Sequence, residues 1–447
     1  MRTALPDLLA SRKGRLAAFF LLYVTEGIPL GFTATAIATQ MRRGGLGPAE
    51  IGAFVASLYF PWGLKWMMGP FVDTFSSDRF GRRKTWIFLM QLGMIATLLF
   101  AMGVDYIQQL RLFTVIVFAH NAFAATMDVA IDALAVNVLP EHERGAANGF
   151  MFAGASVGQT IGGSLVLFLT AAMPFGSTYF FVAGVIAAIT VFVVLPLREP
   201  AVPRAAAAAR NAAREVAVFM RDAWRAFTGS RAALLGVLFA VLPAGAYALS
   251  LALQSNLAVE LGLDDSQVAE LNLYTTLIFA PACILGGWLS DRFNRRITLA
   301  LFIFLTVVPT LWLAWTMWQA GWIMPVDMKM ANRPQPSRLL IVTFWTTCIV
   351  YNVFQGLYYG IRSAFFMDVT TPAVAATQFT AYMALMNLCI SYTATWQGWL
   401  VERIGYPETL VVDCVAGCVG LLLLPLMRPR RAAATPTETS VTSPAAA

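Results

Sequence analysis

Asp78-Arg79-Phe80-Gly81-Arg82-Arg83 returns 213 residues later as Asp291-Arg292-Phe293-Asn294-Arg295-Arg296. Each copy follows an apolar stretch ending in Gly-x-x-x-Asp, Gly69 to Asp73 in the first and Gly287 to Asp291 in the second. Each is followed by another apolar stretch. A basic loop at the same place in both halves of a chain implies a duplicated membrane bundle, two repeats around a shared centre. A weaker match falls in the same register. Val138-Leu139-Pro140 with Ala146-Ala147-Asn148-Gly149-Phe150 answers to Val369, Pro372 and Ala375-Ala376-Thr377-Gln378-Phe379. This pairing makes the fourth and tenth apolar segments counterparts.

Composition excludes an ordinary soluble protein. The chain is 58% hydrophobic and only 12% charged, with a mean hydropathy of +0.68. Soluble domains carry about 25% charged residues, so much of the expected charge is missing. At about 20 apolar residues per crossing, the length accommodates twelve spans. The runs are long and lack strand alternation, so the spans are helices. The expected crossings are 16–40, 50–72, 85–104, 112–137, 146–171, 178–197, 232–258, 268–290, 298–320, 339–365, 376–400 and 408–427. The fold class is therefore all-α, two pseudo-symmetric bundles of six helices.

Arginine and lysine decide the orientation. Alternate loops on the side of the termini hold 22 of them, including Arg79, Arg82, Arg83, Lys84 and seven arginines between Arg198 and Arg231; the other side holds seven. Such a bias places both termini in the cytoplasm. The net charge of +7 thus reads as topology, and no nucleic-acid partner is expected. The five cysteines lie in apolar runs without CxxC spacing, and His120 and His142 are the only histidines. Neither a metal centre nor a cofactor is expected. The first apolar run is too long for a leader and is read as an uncleaved helix. Residues 1–197 and 232–427 are the expected bundles. Between them, 198–231 is an Ala/Arg-rich linker, read either as a plain connection or as a partly amphipathic helix on the membrane face. The tail 428–447 is too poor in apolar surface to fold.

These residues carry a family resemblance. Gly-x-x-x-Asp followed by Arg-x-Gly-Arg-Arg between the second and third helices resembles the signature of the major facilitator superfamily. Pro61-Trp62-Gly63-Leu64-Lys65-Trp66, Gly69-Pro70-Phe71-Val72-Asp73 and Phe80-Gly81-Arg82-Arg83-Lys84-Thr85-Trp86 are more specific. With Gly27-Ile28-Pro29-Leu30-Gly31 and Asp128-Val129-Ala130-Ile131-Asp132-Ala133, they resemble its AmpG-like branch. That branch groups muropeptide permeases, endomembrane acetyl-CoA transporters and siderophore permeases. The resemblance implies proton-coupled uptake of an organic solute by alternating access, in a bacterial inner membrane and as a monomer. It also implies that Gly69, Asp73, Arg79, Gly81, Arg82 and Arg83 form a conformational latch, with Asp291 and Arg295 as a second copy. Asn294 departs from the pattern where glycine is usual.

An ionisable side chain inside a span costs about 2.5–3.5 kcal/mol, so each needs a partner, a wet cavity or a task. Glu26 lies mid-span in the first helix, beside Gly27 and Pro29. Asn121, Asp128 and Asp132 are spaced to share one face of the fourth. Glu26, Asp128 and Asp132 are the proton-coupling candidates. Lys65, two turns from Asp73 on an unbroken second helix, either meets an anionic solute or pairs with Asp128 or Asp132. Arg362 in the tenth helix suits bidentate capture of a carboxylate or phosphate. Gln355, Tyr358 and Tyr359 of that helix, and Gln254 and Asn256 of the seventh, complete the candidate solute site with Lys65 and Asn121. A membrane enzyme or sensor is the competing class. It would need HExxH, a Ser/His pair or a soluble output domain, none of which is present.

Overall fold

The structure, a computed structural model, describes residues 7–74, 80–140, 143–199, 231–250, 252–330, 332–369 and 375–427, with isolated positions between 217 and 228. Arg79, most of the linker and the tail 428–447 lie outside the described residues. The described secondary structure is helical and contains no strand.

Nine helical segments among the described residues are long and apolar enough to cross a bilayer. They are α1 (Arg12–Arg43), α3 (Arg82–Ala101), α4 (Leu110–Ala135, continuing to Val138), α5 (Phe150–Leu169, entered from Arg144), α6 (Phe175–Val194), α8 (Asp265–Leu289, continuing to Arg292), α9 (Arg295–Gln319), α10 (Arg338–Arg362, continuing to Val369) and α12 (Tyr406–Leu426). Three further segments complete the twelve. α2 is split into Pro48–Gly63, a tight turn Lys65–Met68, and Gly69–Thr74. α7 is split into Arg231–Val241 and Ala252–Glu260. α11 (Ala375–Ile404) is continuous but carries amides and hydroxyls along its length.

Each half contains one seam of very close packing. Gly154, Gly158 and Gly162 on α5 face Gly27 and Gly31 on α1. A Cβ built at Gly158 would stand 2.2 Å from the Val24 carbonyl oxygen, and one at Gly27 2.0 Å from that of Ala155. In the other half, α8 and α10 approach in the same way. Gly360 would place a Cβ 2.1 Å from the Cys283 oxygen, and Gly286 one 2.2 Å from that of Leu357. Small residues four apart allow this in lipid, where dispersion and close backbone contact replace the hydrophobic drive. Gly27 is thus a packing residue, and α1 remains helical through Pro29 into the wider turns of Phe32–Ile37.

A side chain at position 158 has nowhere to go. Gly158→Leu should abolish the monodisperse peak of detergent-extracted protein on size-exclusion. Gly184→Leu, where nothing lies within 4 Å of the added Cβ, should leave it unchanged.

The two halves meet chiefly through α2 against α11 and α5 against α8. The α2–α11 contact is close at the end away from the termini, here called the distal face. A Cβ at Gly398 would stand 2.3 Å from the Pro48 oxygen, and one at Gly52 2.5 Å from that of Ala394.

Candidate solute and proton site

The break in α2 corrects the expectation that Lys65 and Asp73 share one unbroken helix. Pro61 lacks an N–H donor. Past it the chain tightens, with Leu64 N–H donating to the Pro61 oxygen at 3.1 Å and Met67 N–H to the Leu64 oxygen at 3.0 Å. The turn aims Lys65 at α4, where its Nζ meets Asp128 Oδ2 at 2.6 Å. The pairing alternative is the one realised. The Asp128 side chain is 2% exposed and that of Lys65 20%.

Glu26 and Asp132 flank this pair. Glu26 Oε2 is buried and accepts no hydrogen bond. Asp132, on the same face of α4, is exposed and accepts from the Tyr23 hydroxyl at 2.6 Å. Asn121 is buried one face-repeat further toward the distal side; its Nδ2 donates to the Val117 oxygen and its Oδ1 has no partner. Three carboxylates therefore gather around one lysine in the first half.

The second half presents the opposite sign. Arg362 lies over the Tyr359 ring at 3.8 Å and beside Tyr358 at 5.6 Å, and the two rings meet edge-on at 5.5 Å. Its Nε and Nη1 are buried without a partner. It takes no part in the ion pairs Arg15–Glu143, Arg42–Glu260, Arg43–Asp265 and Lys65–Asp128. Gln355 is buried on the same helix, while Gln254 and Asn256 are buried on the distal part of α7. Gln254 Nε2 and both amide atoms of Asn256 lack partners.

α7 is broken by tertiary contacts rather than by sequence alone. Tyr247 and Ala248 N–H donate to Asp413 Oδ2 at 2.8 and 2.9 Å, and Gln397 donates to Asp413 Oδ1 at 2.6 Å. Thr306 Oγ1 accepts from Ala246 N–H, Tyr351 donates its hydroxyl to the Ala246 oxygen, and Gly245 adopts φ +87°. A buried carboxylate thus replaces helical partners for the amides that open the distal segment. Asp413 was not among the sequence candidates, because a lone acid in an apolar helix carries no spacing signal; Pro243-x-Gly245 was the available hint.

At the face that carries the termini, Arg83, Lys84 and Arg296 of the basic loops each bond within their own half. Gly81 turns at φ +100°. Glu199 Oε2 then caps α3 by accepting Arg83 N–H at 2.8 Å and Lys84 N–H at 3.2 Å. Arg83 Nη1 reaches the Val72 oxygen at 2.9 Å. Arg82 starts α3, Gly69 restarts α2, and Asp73 and Asp291 sit in the last turns of α2 and α8. In the second copy Asn294 has φ −62° and accepts from Arg296 and Ile297 N–H. It caps α9 as an ordinary N-cap, so the left-handed residue that Gly81 supplies is not needed there. Arg295 follows directly, and Arg296 bonds the Met427 oxygen at 3.1 Å. Sequence reading missed Glu199, the acid that organises the first loop.

The description "Major Facilitator Superfamily" matches residues 16–394. The anhydromuropeptide permease of Escherichia coli (strain K12) is 24% identical over 425 residues, 93% of this chain and 80% of its own length. An uncharacterized protein of Haemophilus influenzae is 27% identical over 183 residues, 41% of this chain and 42% of its own. A D-xylose–proton symporter structure superposes with a TM-score of 0.67 at 12% identity, covering 93% of this chain and 97% of its own. A POT family transporter in complex with a thioalcohol-conjugated peptide gives 0.66 at 10% identity, covering 92% and 95%.

Proposed function

From a chain that belongs to the major facilitator superfamily, and is therefore a multi-pass secondary transporter of an organic solute, we propose proton-coupled import of an organic anion. Uptake proceeds by alternating access between bundles 1–197 and 232–427, in a bacterial inner membrane with both termini in the cytoplasm. The observation that carries this reading is Arg362, whose guanidinium Nε and Nη1 are buried without a partner and which takes no part in the ion pairs of Arg15, Arg42, Arg43 and Lys65. A cation held in a span without its counter-ion is costly, and an anionic solute supplies the missing charge.

The roles divide by half. Arg362 and the Tyr358–Tyr359 corner grip the anion and an adjoining flat or apolar group. Gln355, Gln254, Asn256, Asn121 and Lys65 supply hydrogen bonds along the path. Glu26 holds the proton, and the Lys65–Asp128 pair and Asp132 respond to it. The basic loops, through Gly69, Asp73, Arg79, Gly81, Arg82, Arg83, Asp291 and Arg295, close the cytoplasmic face in the other state. The name of the E. coli relative favours an anhydromuropeptide over siderophore or acyl-CoA solutes.

Proteoliposomes supplied with anhydromuropeptides, ferric siderophores and acyl-CoA under an imposed pH gradient test this. One anionic class should accumulate, and a protonophore should abolish the accumulation. Accumulation that is indifferent to the protonophore would overturn proton coupling, and uptake of neutral analogues alone would overturn the role of Arg362.

A further inference from the structure

The break in α7 rests on two points of α12, one helical turn apart. Asp413, with no exposure, holds the Tyr247 and Ala248 N–H groups through Oδ2, and Gln397 of α11 donates to its Oδ1. Further along α12, the Gly417 oxygen accepts from Gly245 N–H at 3.1 Å. A Cβ at Gly417 would stand 2.2 Å from the Gly245 oxygen, so the two backbones are in contact. A carboxylate that gathers backbone N–H groups is a firm restraint, because its charge strengthens each bond. The place of Tyr247 is thus fixed from α12.

Tyr247 passes that placement on to the solute site. Its side chain is buried and lies within hydrogen-bonding reach of Tyr358, which in turn reaches Arg362. Tyr351, Gln355, Tyr358 and Arg362 recur at helical spacing, which sets them along one face of α10. That face meets the break twice, at Tyr358 and at Tyr351, whose hydroxyl donates to the Ala246 oxygen at 2.6 Å. A fully buried acid, itself beyond a solute's reach, therefore governs the Tyr358–Tyr359 corner that supports the guanidinium.

We propose that Asp413 is a positioning residue for solute binding, acting through Tyr247 and Tyr358 to hold Arg362 in its binding pose. The proposal rests on the reading of Arg362 as the partner of the anion.

Uptake kinetics of full-length protein in proteoliposomes test it, measured with an anhydromuropeptide or with whichever of the three anion classes accumulates. Asp413→Ala should raise the apparent KM about tenfold with little change in maximal rate, the equivalent of one lost hydrogen bond. Asp413→Asn should restore most of the affinity. Its oxygen still accepts both N–H groups, and its amide can donate to Gln397 Oε1, which has no partner, once that side chain turns over. Tyr247→Phe removes only the hydroxyl and should raise the KM about threefold. It decides the matter if Asp413→Ala yields no folded protein. Neither change should add to the effect of Arg362→Gln, because the group being positioned is then gone. An unchanged KM in Tyr247→Phe or in folded Asp413→Ala, or effects that multiply with Arg362→Gln, would overturn the proposal. The reading of Arg362 fails separately, if Arg362→Gln alone leaves the KM where it was.

Discussion

Replacing Arg362 by glutamine will raise the apparent KM for the transported anion by about a hundredfold, which corresponds to losing two charge-assisted hydrogen bonds. The size follows from the surroundings. The guanidinium rests on Tyr359 at 3.8 Å, and its Nε and Nη1, on different edges of the group, have no protein partner and are two charged donors left for a carboxylate or phosphate. Glutamine keeps polarity but offers one neutral amide in place of two charged donors. Lysine should rescue only in part, because a point charge cannot bind bidentately or lie flat on the ring. Uptake kinetics in proteoliposomes, read as KM against maximal rate, check this. An unchanged KM with a lower yield of folded protein would make Arg362 a structural residue.

Glu26→Gln will abolish accumulation against a gradient while leaving exchange of solute across the membrane. Gradient-driven uptake needs a group that carries a proton in one state and releases it in the other. Exchange needs only the solute site and the conformational change. Glu26 is the cleaner target, since Oε2 accepts no bond and the amide preserves shape. Asp128→Asn should also uncouple, but it strands Lys65 without its partner at 2.6 Å, so its yield should fall as well. Counterflow set beside pH-driven uptake separates the two activities. Retention of both in Glu26→Gln would remove it from coupling.

Helix number and position were legible because each depends on local composition: the apolar runs, the Gly-x-x-x-Asp repeats and the arginine bias all lie within the chain's own neighbourhood. The Lys65–Asp128 alternative could be posed for the same reason, since an intramembrane lysine must find an acid. What stayed hidden was set by distant partners. The break in α7 depends on Asp413, 166 residues beyond Tyr247, and no local pattern announces that pairing. Arg42 and Arg43, two of the seven basic residues counted on the far side, are met by Glu260 and Asp265 across the two halves, which no local pattern announces. Glu199 followed a span and looked like linker, yet it caps α3. Asn294 looked like a loss beside Gly81, whereas its side chain makes the turn by another route.

The asymmetry of the centre connects these parts. Three acids and a lysine stand on the first-half side, and an arginine on an aromatic corner stands on the other. On the proposed reading, a proton arriving at Glu26 reduces the negative charge of the first side, and an anion arriving at Arg362 neutralises the second. Both sides would then enter a closed, low-dielectric state at lower cost than when fully charged. On that reading, coupling would arise because the occluded state admits the loaded pair more readily than either alone.

The most direct measurement records external pH in a weakly buffered suspension of proteoliposomes as the accumulated anion is added. Alkalinisation with each pulse of solute, lost in Glu26→Gln and shifted to higher solute concentration in Arg362→Gln, is the predicted result. Solute entry with no proton movement in the unsubstituted protein would contradict it.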